Sequence, residues 1–296
     1  MKTSPILILA NPTAGAGKGR ASRLRLLEAV RHDLEKHGHS VHIGFEDESK
    51  AIRQRAENAA RAGAPIIVAA GGDGTVNAVA NGILRASKGR KSETLLGILP
   101  MGTGNVFAFN LGLGKNWREA CKIIRAGNAR CIDAGLAIPL EGARPSLKSG
   151  DKKAEERYFL LMAGLGFDAK VIEDTSLRLK FVLRDFAYAL RSLQNAVVHQ
   201  GTQVTLTFPD GRVDSSLSWL LMVGNAASYA WAIKFTEQAH LDDGLLDVCA
   251  FPFANKMVSV QQVMQLLMGQ HVERGTAHYF KTTSVKIESS PPIPVQ

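Results

Sequence analysis

"PIIVAAGGDGTVNAVANGI", residues 65–83, decides the fold. Its first half is a continuous apolar run of strand length, as a strand covered on both faces requires. Its second half, with the residue that follows, carries Val76, Val79, Ala80, Ile83 and Leu84 at i, i+3, i+4, i+7 and i+8, one face of a helix over 75–86. Between the two stand Gly71, Gly72 and Gly74 around one carboxylate, Asp73, followed by the hydroxyl of Thr75. Glycines at such a joint let backbone N–H groups approach a phosphate. The helix N-terminus adds its partial positive charge. Asp73 can then hold or position a metal-neutralised phosphoryl group. A plain tight turn with Asp73 as N-cap fits the same letters.

Two further joints share the plan. "NPTAGAGKG" (11–19) follows the apolar run "PILILAN" (5–11), and Lys18 followed by Gly19 rules out a Walker A loop. "LPMGTGNVFA" (99–108) follows "LLGILP" (95–100) and offers Gly102, Thr103, Gly104 and Asn105. Three small-residue loops that end three strands of one sheet can converge on one polyanion, since open α/β sheets bind ligands at the carboxyl ends of their strands.

Outward from these joints, strand and helix signals alternate through residue 133: a basic helix over 18–37, a strand over 39–45, a polar helix over 49–62, and a helix over 116–127 closed by a glycine C-cap. The expected fold is a three-layer α/β nucleotide-binding domain over 1–133. Residues 141–157 are polar and loop-like. Strand-like segments dominate beyond them: "YFLLMAGLGF", "TQVTLTFPDGRVDSSLSWLLMVGN", "GLLDVCAF" and "SVKIES", interrupted by helical stretches at 176–195 and 255–269. Alternation in "QVTLTF" and the Pro-Asp-Gly turn at 209–211 indicate antiparallel hairpins, hence a β-rich second domain over 134–296.

Composition narrows the partners. The 296 residues carry a net charge of +9, which favours an anionic partner: nucleotide, nucleic acid or acidic membrane surface. Nucleic acid is set aside, because aromatics are 6% of the chain and no DNA- or RNA-binding motif is present. Cys121, Cys131 and Cys249 form no paired motif, against a disulfide framework or a zinc site and in keeping with a reducing cytoplasm. His32, His37, His39 and His42 crowd into "HDLEKHGHSVH", read as a solvated helix end. No apolar stretch is long enough to span a membrane. The element best suited to touch one is "SLRLKFVLRDFAYALRSLQ" (176–194), with Leu179, Val182, Leu183, Phe186, Leu190 and Leu193 in a stripe and Lys180, Arg184 and Arg191 on another face. A helix packed on the β-rich domain with solvated basic residues is the reading favoured by the letters, and the two are compatible.

In their order and spacing, "NPTAGAGKG", "GGDGTVNAVANGI", "PMGTGNVFAFNLGL" and "LDDGLLDV" resemble the diacylglycerol kinase catalytic family, and most of all the bacterial soluble lipid kinases. The resemblance implies a β-sandwich-like second domain, an active site in the interdomain cleft, ATP and Mg²⁺, and transfer of the γ-phosphoryl group to a lipid hydroxyl, diacylglycerol by default. It also implies a cytoplasmic protein that meets lipid peripherally at an anionic membrane surface; a homodimer is left open. Matched position by position, Asn11, Pro12, Thr13, Ala14 and Gly15 take the first nucleotide loop. Gly71, Gly72, Asp73, Gly74, Thr75 and Asn77 take the second, with Asp73 the catalytic candidate. Gly102, Thr103 and Asn105 take the third, and Asp133 matches an aspartate at the domain junction. Asp243 matches the ligand of a structural Mg²⁺, alongside the carbonyls of His240 and Leu245; from the letters alone, "LDDG" is equally a polar turn entering a strand.

Four positions depart from the family's pattern. Val106 stands where many relatives have Asp, Glu46 near a common Thr, and "SYAWAIKF" (228–235) lacks a usual glycine cluster. The chain as given ends at Gln296, short of the family's Asp-Gly-Glu with its general-base Glu. On that reading the second domain is cut short, and the chain binds Mg·ATP but turns over poorly. Two alternatives stand beside the lipid kinase: an NAD-kinase-like enzyme, and a non-catalytic nucleotide- or lipid-binding protein.

Overall fold

The structure, a computed structural model, describes residues 4–12, 19–140, 155–166, 201–229, 233–292 and 295. It divides into two compact units, Met1–Ile132 and Asp133–Gln296. The helical stretch expected at 176–194 lies outside the described residues, and so do Thr13, Ala14 and Gly15.

Four strands build the first unit's sheet: β1 (Pro5–Ala10), β2 (Ser40–Phe45), β3 (Ile66–Gly71) and β4 (Leu95–Pro100). Their order is β2-β1-β3-β4 and every pair is parallel. Parallel neighbours need crossovers, and helices supply them: α1 (Arg20–Lys36), α2 (Ser49–Arg61) and α3 (Asp73–Ala86), followed by the short α4 (Val106–Asn110) and by α5 (Trp117–Ala126). All six residues of β3 are buried, whereas the edge strand β2 alternates. Ile6, Ile8 and Ala10 of β1 and Ile66, Val68 and Ala70 of β3 pack with Leu27, Val30 and Leu34 of α1 and Ala120, Cys121 and Ile124 of α5. The alternate residues Leu9, Ile67 and Ala69 are equally buried towards the opposite face. There α2 and α3 lie against the strands and each other. Glycine permits that contact: a Cβ on Gly82 of α3 would sit 2.4 Å from the Arg53 carbonyl oxygen and 2.6 Å from Ala56 Cβ on α2.

The second unit is antiparallel. Its main sheet runs β11-β10-β9-β8-β12, with β7 also paired to β9; the strands are β7 (Met162–Gly166), β8 (Thr202–Thr207), β9 (Val213–Gly224), β10 (Leu246–Pro252), β11 (His278–Thr282) and β12 (Lys286–Ser290). A small pair, β5 (Gly135–Ala137) with β6 (Arg157–Phe159), stands apart from it. Gly211, at φ +83°, turns the β8–β9 hairpin, where the Phe208 N–H donates to the Arg212 carbonyl at 3.0 Å. Helix α6 (Lys256–Leu267) starts where the Asn255 side chain accepts the Val258 N–H. It packs Val263 and Leu266 against Trp219, Met222 and Phe251 on one side of the sheet. Val204, Leu206, Leu221, Val223 and Val248 form a second cluster.

Three expectations need correction. Helix α3 begins at Asp73, two residues before the expected start, so Gly74 lies in its first turn. "YFLLMAGLGF" is two strands, because the Leu161 carbonyl between them takes the N–H groups of Asn225 and Ala226 at 2.8 and 3.0 Å. His39 is no part of a solvated helix end: it is buried with Nδ1 beside Ser4, whereas His32, His37 and His42 are exposed.

Gly82→Ala is expected to destabilise the chain by about 1–3 kcal/mol through overpacking, although alanine is the better helix former. Urea unfolding of the variant beside the parent checks it.

Candidate functional site

Strands β1, β3 and β4 are parallel neighbours, so the segments that leave their carboxyl ends emerge along one edge of one sheet. After β1, Asn11 donates its amide to the Asp47 carbonyl at 3.0 Å. The buried Arg23 of α1 donates to the Pro12 carbonyl at 3.2 Å.

After β3 and β4 the two segments touch backbone to backbone. The Met101 and Gly102 N–H groups both donate to the Gly71 carbonyl, at 3.0 and 3.2 Å. A Cβ on Gly102 would stand 2.3 Å from the Gly72 Cα, and one on Gly71 would overlap the Thr75 side chain. None of Gly71, Gly72, Gly74, Gly102 and Gly104 has positive φ. Close approach, not left-handed backbone, therefore demands glycine here. Much of that approach is protein on protein, and Gly74 alone of these five faces open space. The glycines' first task is thus to bring two loops together; the space left for a ligand lies around Gly74.

Asp73 does not cap its own helix. The N-cap of α3 is Gly72, and no side chain satisfies the first-turn amides, which stay available to another partner. The Asp73 carboxylate reaches across instead: Oδ1 accepts the Phe107 N–H in the first turn of α4 at 2.9 Å. Its Oδ2 lies where a Cβ on Gly104 would come within 3.0 Å. Asn105 occupies the left-handed region (φ 55°, ψ 41°), which Asn tolerates better than most residues. Its side chain closes the loop on Gly102, accepting that N–H at 3.0 Å and donating to that carbonyl at 2.9 Å. Both ends of the amide are used, so Asn105 shapes the loop. Thr75 is buried, Thr103 exposed, and Asn77 keeps a buried Oδ1 with no hydrogen-bond partner. Val106 is buried at the start of α4. Glu46 pairs with Arg55 at 2.8 Å, and Arg55 lies over Gly44, where a Cβ would meet its guanidinium.

In the second unit Asp133 is bound at three atoms. Its N–H donates to the Leu241 carbonyl at 2.7 Å, its carbonyl accepts from Asn225 Nδ2 at 3.0 Å, and its Oδ2 accepts the Gly244 N–H at 2.7 Å. Asn225, 1% exposed, also donates to the Leu160 carbonyl at 3.0 Å. The turn that Asp133 grips is the "LDDG" segment. Gly244 takes φ +73°, and Asp243 Oδ1 accepts the Leu245 N–H at 3.0 Å. His240 and Asp243 are exposed. Among the described residues no group of three or more His, Cys, Asp or Glu side chains could hold a metal. The expected donors are one Asp243 carboxylate and the carbonyls of His240 and Leu245. That all-oxygen set on an exposed turn suits a hard cation such as Mg²⁺.

Two groups next to that turn escaped the sequence reading. Asp247 of β10 is fully buried, and its Oδ1 accepts the Tyr279 hydroxyl at 2.6 Å. Burial pushes the Asp247 carboxyl above its ordinary range, against the Tyr279 hydrogen bond and the Lys281 charge; Asp243 adds to the upward push. Burial likewise pushes the Tyr279 phenol up, reinforced by its bond to Asp247. The legible signal was an acid inside the apolar run "LLDVCAF".

Comparison with known proteins assigns both units. Residues 5–137 match the diacylglycerol kinase catalytic domain, and residues 162–296 match the YegS C-terminal NAD kinase beta sandwich-like domain. A probable lipid kinase YegS-like of Chromohalobacter salexigens is 27% identical over 277 residues, 94% of this chain and 83% of that protein. A diacylglycerol kinase of Staphylococcus carnosus is 28% identical over 289 residues, 97% of this chain and 86% of its own length. A solved diacylglycerol kinase structure from Bacillus anthracis superposes with a TM-score of 0.67 at 22% identity, covering 100% of this chain and 90% of that one, a likeness of fold.

Gly102→Ala is expected to push the two loops apart and cost about 1–3 kcal/mol, while Gly74→Ala, in open space, costs less than about 1 kcal/mol. Thermal unfolding of both variants beside the parent tests the contrast.

Proposed function

The chain belongs by both of its domains to the diacylglycerol kinase-like lipid kinases, and we propose that it transfers the γ-phosphoryl group of Mg·ATP to a lipid hydroxyl, with diacylglycerol the first acceptor to test. One observation carries the reading: three loops leave one edge of one parallel sheet, and the middle one opens an uncapped helix at an exposed glycine beside a carboxylate. Phosphoryl transfer demands positioning and charge neutralisation more than covalent chemistry. Such an edge supplies amides and a helix N-terminus to an anion.

The roles proposed follow from that geometry. The first-turn amides at Asp73, Gly74 and Thr75 cradle phosphate, flanked by Asn11, Pro12 and Thr103. Asp73 ties the second and third loops through the Phe107 N–H and keeps a second oxygen near Gly104 for the reacting group. Gly71, Gly72, Gly102 and Asn105 hold the loops at their spacing, and Asn77 keeps a buried acceptor with no partner among the described residues. In the second unit, Asp243 with the carbonyls of His240 and Leu245 is proposed to hold Mg²⁺, on a turn that Asp133 fixes. Bound there, Mg²⁺ would neutralise carboxylate charge and stiffen the turn.

Among the described residues no helix is long and apolar enough to cross a membrane. The lipid is therefore proposed to be met at the surface of an anionic bilayer, in keeping with the +9 net charge. The relatives' names divide between lipid kinase and diacylglycerol kinase, so the acceptor is best found with a panel.

Labelled ATP should place its phosphate on a lipid when the full chain meets vesicles of diacylglycerol, phosphatidylglycerol or a sphingoid base. Asp73→Asn, which keeps an acceptor for the Phe107 N–H and loses the charge, should lower the rate at least ~100-fold with little change in unfolding temperature. Label on a nicotinamide dinucleotide, or on no acceptor, would overturn the assignment.

A further inference from the structure

Asp247 is a carboxylate with no exposed surface in the middle of a sheet, a placement that costs several kcal/mol unless its charge is answered. Its Oδ1 is answered by the Tyr279 hydroxyl at 2.6 Å, with Lys281 Nζ at 3.8 Å. Tyr279 and Lys281 stand two apart on β11 and share a face; in the β10–β11 ladder Asp247 sits opposite Lys281. The same two side chains grip the backbone of one residue in the neighbouring segment, on both sides of its Cα. The Gln238 N–H donates to the Tyr279 hydroxyl oxygen at 3.3 Å, and the Gln238 carbonyl accepts from Lys281 Nζ at 2.9 Å.

That segment leads straight into the turn that bears His240, Asp243 and Leu245. It is fixed at three places. Thr236, fully buried in the notch that Gly224 leaves, donates to the Ala226 carbonyl at 2.8 Å. Gln238 is clamped from β11, and Leu241 and Gly244 are bound to Asp133.

We propose that Asp247 is the positioning residue of the cation turn: by holding the Tyr279 hydroxyl and the Lys281 ammonium it fixes the Gln238 backbone, and with it the segment that carries the turn. This rests on the reading of His240, Asp243 and Leu245 as cation ligands. Asp247 donates no ligand atom itself; it sets where the ligands stand.

The test is Mn²⁺ binding to the full chain, followed by electron paramagnetic resonance, with the Mg²⁺ dependence of phosphoryl transfer as a second readout. Tyr279→Phe removes the hydroxyl that Gln238 needs; Asp247→Asn keeps an acceptor for Tyr279 but loses the charge that holds Lys281. Tyr279→Phe is expected to weaken Mn²⁺ binding ~10-fold, and Asp247→Asn in the same direction by less. The Mg²⁺ concentration for half-maximal turnover should rise in step. Asp214→Asn, a carboxylate elsewhere on the sheet, controls for general destabilisation and should leave Mn²⁺ binding as it is. Should Asp247→Asn fail to fold, Tyr279→Phe decides. Parent-like Mn²⁺ affinity in the folded variants overturns the inference, and so does a parent chain that transfers phosphate without binding Mn²⁺. A parent that binds Mn²⁺ through Asp247 yet phosphorylates nothing upholds it and overturns the kinase reading instead.

Discussion

The first unit depends on one contact without side chains, the meeting of Gly72 and Gly102. The parallel ladder between β3 and β4 brings their carboxyl ends side by side, and the chain must leave both strands at the same edge. Any Cβ on Gly102 would hold the two exits apart. With that atom absent, the Gly71 carbonyl collects two N–H groups from the β4 exit. The Asp73 carboxylate is then close enough to take the Phe107 N–H. A helix that begins uncapped and a loop that ends in left-handed backbone are thus locked to each other. The uncapped end of α3 remains turned towards solvent at Gly74. The phosphate-binding character proposed for this edge follows from what the glycines leave over once they have joined the loops.

The second unit solves its own version of the problem with polar side chains, Asn225 buried and Asp133 and Tyr279 half-buried. Asn225, Asp133, Tyr279 and Lys281 each bond backbone atoms of another segment. A neutral hydrogen bond contributes about 0.5–1.5 kcal/mol net and one to a charged group about 1.5–3 kcal/mol, but a buried group left unpaired costs as much or more. Such bonds therefore specify where a turn sits more than they raise stability. The same "LDDG" turn is gripped on one side by Asp133 and on the other, through Gln238, by β11. Its conformation is over-determined before any ligand is considered.

The alternation of strand and helix was legible because β1 and β3 are apolar throughout, and such runs fit a sheet covered on both faces. The loops of the candidate site were legible as loops, since glycine and asparagine after a strand mark a joint. Their internal logic was not. Letters cannot distinguish a glycine that admits a ligand from one that admits another glycine, and Gly72 with Gly102 is the second kind. Nor can they tell that Asp73 serves α4 rather than α3, because the partner amide is 34 residues away. Strand β11 was missed because "HYFKT" mixes polar and aromatic letters; Tyr279 and Lys281 are polar for the sake of Asp247 and Gln238. Asp247 and Asn225 were passed over for a related reason: burial is a property of the fold, and a lone acid or amide in a strand looks like its solvent-facing side.

The 12-residue β9 is the spine of the second unit, with β7, β8 and β10 all paired to it. The pairings of this sheet join widely separated parts of the chain: Met162 of β7 meets Gly224 of β9, and Lys286 of β12 meets Thr207 of β8. Each such pairing closes a long loop before it gains any contact energy, whereas β1 with β2 and β3 with β4 in the first unit close over shorter spans. Folding rates fall as contacts become less local. During synthesis, then, the α/β unit can take shape as it emerges, while β8 waits with an open edge until residues 286–290 exist to cover it. That interval is the molecule's period of greatest exposure to misassembly. It is a kinetic burden carried by the domain whose sheet is assembled from distant strands.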